Sequence, residues 1–261
     1  MKWMFKLDRG EIFDGLVSLY LAHNGDRTEP WLKKLYRSLR TKVGYSLDES
    51  IDFLLQIGER HGHRFTFFVV GKLAASRPDL VKRILEKGHE VASHSMSHYM
   101  PQRLPPSAFR EELITSKIIL EDLGATVTGF RAPHLIMADS QYDILSEAGY
   151  LYSSSKSWRH APIVLSTTRG EITEAPVHYQ DLEFLKHRDD HDQLVAGLKN
   201  ALVPGSVLLV HAQFLAAPSF APVWDGLYST PETCRSEVLS KLVAGEAPEN
   251  ATYITIDVGL E

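Results

Sequence analysis

Phe65-Thr66-Phe67-Phe68-Val69-Val70-Gly71 and Gly88-His89-Glu90-Val91-Ala92-Ser93-His94-Ser95-Met96-Ser97-His98 bracket a helical phrase, and the reading of this stretch decides the fold. Phe65–Val70 is a short β-branched and aromatic run, the composition of a buried strand. Ser76-Arg77-Pro78-Asp79 supplies a helix start. Leu80, Val81, Ile84 and Leu85 fall on one stripe of that helix, and Gly88 stops it. His89–Ala92 reads as a second strand running into His94. Strand, helix, strand is the grammar of parallel βα units.

The same grammar extends in both directions. Upstream, Ser46-Leu47-Asp48-Glu49 is a capping box followed by Ile51, Leu54 and Leu55 at helical spacing. Downstream, the patterns predict helices at Ala108–Leu123, Ser140–Ala148 and Asp192–Ala201. They predict strands at Thr126–Phe130, Leu151–Ser153, Glu171–Val177 and Ala251–Val258, and a fully apolar strand Val207–Val210 that ends at His211. Trp3–Leu7 is a further apolar run ending on Asp8. Four polar groups, Asp8, His94, Arg131 and His211, therefore follow predicted strand ends. In a barrel of parallel strands those ends share one face, so the four would converge.

Composition narrows the function. The 261 residues carry 28 Lys+Arg against 33 Asp+Glu, a net charge of −5, and 44% are hydrophobic, as in an ordinary globular domain. With no long basic run, nucleic acid is not the expected partner. The single cysteine, Cys234, forms neither an internal disulfide nor a zinc–thiolate site. No stretch reaches the roughly 18 apolar residues of a membrane span, and the apolar N-terminal run is too short for a secretory signal, so the expected location is cytoplasmic. The chain reads as one domain over 1–261 with an inserted basic amphipathic segment at about 11–45. There Trp31, Leu32, Leu35, Tyr36, Leu39 and Val43 share one helical face, while Lys33, Lys34, Arg37 and Arg40 share the other. Two readings of that helix stay open: a solvated surface, or a lid or contact for an anionic substrate or membrane.

His94 and His98 are four residues apart, a spacing that lets two imidazoles bind one divalent ion. Their surroundings resemble the polysaccharide deacetylase family, carbohydrate esterase family 4. In that family Thr-Phe-Phe-x-x-Gly, a helix and Gly-His-Glu-x-x-x-His-Ser/Thr-x-x-His recur, as they do here from Thr66 to His98. Phe130-Arg131-Ala132-Pro133 is similar to the family's arginine motif. Leu145 to Ser154 resembles its next strand entry, and Leu208-Leu209-Val210-His211 resembles its late histidine motif.

The resemblance implies a deformed (β/α) barrel, parallel strands with outer helices, and a divalent metal ion, zinc in the first instance, held by an aspartate and two histidines. His94 and His98 would be ligands. The family's first motif, Thr-Phe-Asp-Asp, carries a catalytic base and then a ligand, and Lys6-Leu7-Asp8-Arg9 is the segment placed against it. Asp8 would be the base. Arg9 has no lone pair for a cation, which leaves Glu11, with Asp14 behind it, as the replacement ligand or as a solvated carboxylate. Arg131 would hold Asp8 ionised, and His211 would protonate the departing amine. His134, in a place where relatives carry an aromatic, is an added ligand, a substrate contact beside Pro133, or a surface residue. The implied activity is removal of an N-acetyl or other N-acyl group from an amino sugar. Two alternatives are a deformylase of a lipid-linked formamido sugar and a non-catalytic sugar-binding protein.

Overall fold

The computed structural model describes residues 45–157, 160–184, 187, 190–211, 215–229 and 235–259. Trp3–Leu7, Asp8, Arg9, Glu11, Asp14, the basic helix and Cys234 lie outside them. Among the described residues no helix is long and apolar enough to cross a membrane.

Helix α1 (Leu47–His61) starts at the expected box: the Ser46 side chain accepts the Glu49 N–H at 3.2 Å, and the Glu49 carboxylate accepts the Ser46 N–H at 2.7 Å. Ile51, Leu54, Leu55 and Ile57 form its buried stripe. The chain continues through β1 (Thr66–Val69), α2 (Gly71–Ser76), α3 (Pro78–Glu86), β2 (Glu90–Ser93), α4 (Pro106–Asp122), β3 (Gly129–Phe130), α5 (Gln141–Glu147) and β4 (Tyr152–Ser153). A hairpin of β5 (Ile163–Thr167) and β6 (Gly170–Glu174) follows, then β7 (Tyr179–Gln180), α6 (His191–Ala201) and β8 (Val207–His211). The remaining elements are α7 (Ala221–Leu227), β9 (Arg235–Ser236), α8 (Leu239–Ala244) and β10 (Ala251–Val258).

The sheet order is β5-β6-β4-β3-β2-β1-β10-β8-β7, with β9 beside the start of β10. Every pairing is parallel except β5 with β6. The path does not close among the described strands, so the barrel is a deformed one. The antiparallel edge departs from the all-parallel expectation because a two-residue turn joins β5 to β6, and only a long crossover can bring strands parallel. The predicted Glu171–Val177 strand ends early, at Glu174. That carboxylate turns inward to accept the Ser155 and Lys156 N–H groups, both at 2.8 Å. The predicted Thr126–Phe130 strand keeps only its last two residues in the ladder.

Strand β10 lies between β1 and β8, with Thr66 opposite Thr255 and His211 opposite Asp257. On the other side of β1, Val69 pairs with Ser93, which pairs with Phe130. This register brings His94, Arg131, His211 and Asp257 to one edge of the sheet. Alternate residues of β1 face different cores: Phe67 and Val69 join the large helix-packed cluster, while Phe68 joins Ala92, Tyr152, Val207 and Tyr253 on the other face. A strand buried on both faces explains the unbroken apolar run at 67–70.

Candidate active site

Arg131 is wholly buried, and its guanidinium is satisfied on every side. Nε donates to Ser154 O at 2.9 Å and Nη2 to Ser154 Oγ at 2.7 Å. Nη1 donates to Thr255 Oγ1 and to Asp257 Oδ1, both at 2.9 Å. The Phe68 ring lies 4.1 Å beneath it. A buried charge persists only when so paired, and the partner here is Asp257. Burial by itself pushes the Asp257 carboxyl up. The positive charge of Arg131, with His94 and His211 beyond it, more than reverses that and holds the group below the usual carboxylate range.

Asp257 is therefore the carboxylate beside Arg131, and Asp8 and Glu11 lie outside the described residues. Thr255-Ile256-Asp257-Val258 has the pattern of the family's Thr-Phe-Asp-Asp, with valine in the last place. The signal was legible: an alternating strand with a threonine two residues before a terminal aspartate. It sits in the last strand of the chain, while Asp8, the sequence candidate for the base, lies outside the described residues.

His94 follows β2 and is buried; its Nδ1 lies 2.9 Å from Arg131 O. Since a carbonyl only accepts, Nδ1 carries the proton, and Nε2 keeps its lone pair. Nε2 lies 3.7 Å from Asp257 Oδ2. Burial holds His94 below the ordinary histidine range and pushes His98, with His94 and His134 beside it, down to about 4. Both imidazoles are thus neutral near pH 7, the form that binds metal. Their rings meet edge to face with centroids 4.8 Å apart.

The loop that carries the pair is built with care. Ser95 and His98 both have left-handed backbones, φ 67° and 62°. The Glu112 carboxylate on α4 accepts the Met96 and Ser97 N–H groups at 2.9 and 2.8 Å and both serine hydroxyls. At the start of α2, the Gly71 and Lys72 N–H groups donate to Ser95 O and Met96 O at 2.9 Å. Glycine at 71 lets α2 lie close against this loop, since a Cβ there would stand 2.6 Å from Met96 Sδ and 3.2 Å from Met96 Cα and the loop would have to shift. Gly71 closes the Thr-Phe-Phe-x-x-Gly phrase, whereas Glu112 was not singled out by sequence reasoning, because a glutamate on a helix reads as a solvated charge.

His211, the last residue of β8, pairs with Asp181: Nδ1 to Oδ1 is 2.7 Å, and the His211 N–H donates to Oδ2 at 2.9 Å. Asp181 is fully buried in the turn after β7. Burial pushes the imidazole down, but the charge and hydrogen bond of Asp181, with Asp257 beyond, turn the balance upward. His211 is held ready to carry a proton.

A cavity of about 530 Å³ lies over these groups, lined by His94, His98, His134, His211, Asp257 and Leu209 among others. Arg131 is not among the lining residues and is tied to the cavity by its ion pair with Asp257. His134 is exposed on a short turn, Pro133–Leu135, with φ 63° and its ring 5.2 Å from that of His98. Pro133 is buried and is not among the residues lining the cavity. His94 and His98 suit a divalent ion in charge state and spacing. Among the described residues the place of the family's carboxylate ligand is taken by Val258, which is hydrocarbon and fully buried, and Glu11 and Asp14 lie outside them. Among the described residues no three His, Cys, Asp or Glu side chains are already gathered as a metal centre.

Comparison with known proteins bears on this arrangement. The sequence pattern of the Polysaccharide deacetylase family matches residues 44–153. A chitooligosaccharide deacetylase of Bradyrhizobium sp. (strain ANU 289) is 26% identical over 160 residues, 60% of this chain and 62% of the relative. The match thus spans about three fifths of that relative's length. A structure from Mycobacterium smegmatis assigned to the polysaccharide deacetylases has the same fold, with a TM-score of 0.66 at 19% identity over 91% of this chain and 90% of that one. A carbohydrate esterase family 4 pseudoenzyme from Bacillus anthracis shares the fold with a TM-score of 0.54 at 16% identity, over 81% of this chain and 60% of that one. Over residues 44–153, the chain is similar to the polysaccharide deacetylase family.

Proposed function

We propose that the protein is a metal-dependent hydrolase that removes the acetyl group from an N-acetyl amino sugar. The observation that carries this reading is the pairing of two oppositely tuned groups on one cavity: Asp257, whose carboxylate Arg131 favours through an ion pair, and His211, which Asp181 pushes toward its protonated form. Separated acid and base assignments are what amide hydrolysis requires. His94 and His98 would hold the divalent ion, which when bound polarises the amide carbonyl and acidifies water. Asp257 takes a proton from the attacking water as its oxygen bonds to the acyl carbon. His211 donates its proton to the sugar nitrogen as the carbon–nitrogen bond breaks, since an amide anion is too poor a leaving group to depart alone. Acetate and the free amine result. Arg131 keeps Asp257 ionised and oriented throughout.

The test is acetate release from N-acetylglucosamine oligomers by chelator-treated protein, with and without added zinc, with formate release from an N-formyl amino sugar measured in parallel. Zinc-dependent acetate release supports the reading; formate release alone replaces it with a deformylase. A second reading, a sugar-binding protein without turnover, is favoured by Val258. It prevails if neither acid is released while the oligomers still bind.

A further inference from the structure

We propose that His134 is the third ligand of the divalent ion held by His94 and His98, so that this centre is built from three imidazoles where the family uses an aspartate and two. The proposal rests on the metal-dependent reading above and adds to it the identity of the missing donor. Val258 offers the ion nothing. Among the described residues the carboxylates around the pair are engaged elsewhere: Asp257 with Arg131, Asp181 with His211, and Glu112 with the Met96 and Ser97 N–H groups.

Position favours His134. Two imidazoles on one tetrahedral zinc ion, with Zn–N of about 2.1 Å, have ring centres about 5 Å apart. Two of the three ring separations are of that size, His94–His98 at 4.8 Å and His98–His134 at 5.2 Å, and all three residues line the same cavity. The backbone favours it too. His134 and Leu135 both take left-handed angles, φ 63° and 55°, a conformation that costs an ordinary residue about 1–2 kcal/mol. The turn is held there from below, where the Ala132 N–H donates to Ser155 Oγ at 2.9 Å and the Leu135 N–H to Ala132 O at 3.0 Å. A strained turn, closed on itself and anchored at its start to Ser155, that carries an imidazole over the cavity is what a ligand-bearing loop needs. Closing the set requires rotation about the side-chain bonds of an exposed residue, a motion of picoseconds to nanoseconds.

The test is calorimetric titration of the chelator-treated full chain with zinc, comparing wild type with His134→Asn and His134→Asp. Both replacements tolerate the left-handed backbone, and matching thermal melts check that they fold. Wild type should take up one equivalent. His134→Asn should bind at least about 10²-fold more weakly, since loss of even an outer-shell partner costs 10–100-fold. His134→Asp, which restores a donor, should recover most of that loss. Binding by His134→Asn within about twofold of wild type overturns the proposal and leaves the deacetylase reading standing. So does an unchanged zinc affinity accompanied by weaker sugar binding, which makes His134 a substrate contact. Absence of zinc uptake by wild type overturns the metal-dependent reading, and the proposal with it.

Discussion

Residues 44–153 and 207–258 feed one cavity from the two sides of β1, and they do so differently. The first segment contributes His94 and Arg131, each just past a strand, and His98 in the loop after β2, all inside recognisable phrases. The second contributes His211 and Asp257, the groups suited to moving protons, on neighbouring strands that pair in register. In the first, order along the chain matches order in the sheet from β1 to β4; in the second, the last strand of the chain is inserted beside the first described one. Convergence at a sheet edge is set by strand neighbours, not by position in the chain.

The sharpest way to break this comparison is to remove the carboxylate of the second segment. Asp257→Asn should leave zinc binding by His94 and His98 largely in place and lower kcat by about 10²–10⁴-fold, the range for losing a general base. Asp8→Asn, in the same acetate-release assay, should have a far smaller effect. If Asp8→Asn is the crippling change and Asp257→Asn is tolerated, the base belongs to the N-terminal segment and Asp257 only neutralises Arg131.

What could be read beforehand divides along the same line. The capping box of α1, the βα unit at 65–98 and the strand ends at His94, Arg131 and His211 rest on local rules, and they stand where the local rules put them. Asp257 was missed because the Thr-x-Asp pattern was sought at the start of the chain, and no local rule says which strands become neighbours. Asp181 and Glu112 were missed for another reason. One is buried in a turn against His211, the other spans from α4 to a loop, and an acidic residue far from its partner in sequence reads as solvated.

Two histidines sharpen the contrast between segments because their environments push them in opposite directions. Burial, with Arg64 and Lys87 nearby, holds His89 at about 4. The Phe65 N–H donates to its Nδ1 at 3.1 Å, which requires the neutral ring. Its folded value lies below the unfolded one of 6.5, so its contribution to stability is complete above about pH 6.5 and is lost as the pH falls toward 4. At about 1.4 kcal/mol per unit, the whole effect is about 3 kcal/mol. Urea denaturation of wild type and His89→Asn at pH 7.5 and 4.5 isolates it: the wild type should lose more stability between the two. Parallel losses mean that His89 is not the group responsible.

His211 carries the reverse sign. Asp181 raises it, so the protonated acid survives to higher pH than a free imidazole would allow. Asp181→Asn removes the charge but keeps a hydrogen-bond acceptor. The alkaline limb of the kcat–pH profile should move to lower pH, and kcat at its optimum should fall by about tenfold, less than the 10²–10⁴-fold cost of losing an acid outright. A proportionate loss at every pH, with the limb unmoved, would give Asp181 a packing role only.

The smallest effect is expected from an ion cluster of the first segment that resembles the His211–Asp181 pair in chemistry but not in burial. Asp48 on α1 accepts from Arg77 at 3.1 and 2.8 Å and from Arg83 at 2.7 Å, tying α1 to α3. Those hydrogen bonds and charges lower its carboxyl to about 2. A depressed carboxylate stabilises the fold above the unfolded value near 4, and that stabilisation disappears as the pH falls through about 2. Asp48 is 39% exposed, so water screens the pairs and the shift overstates their worth. Asp48→Asn should therefore cost about 1 kcal/mol or less at pH 7, and less again in 1 M salt, where the Debye length is about 3 Å. A loss of several kcal/mol that salt leaves untouched would mean that α1 and α3 depend on this cluster as the active site depends on its buried pairs, and that exposure does not separate the two.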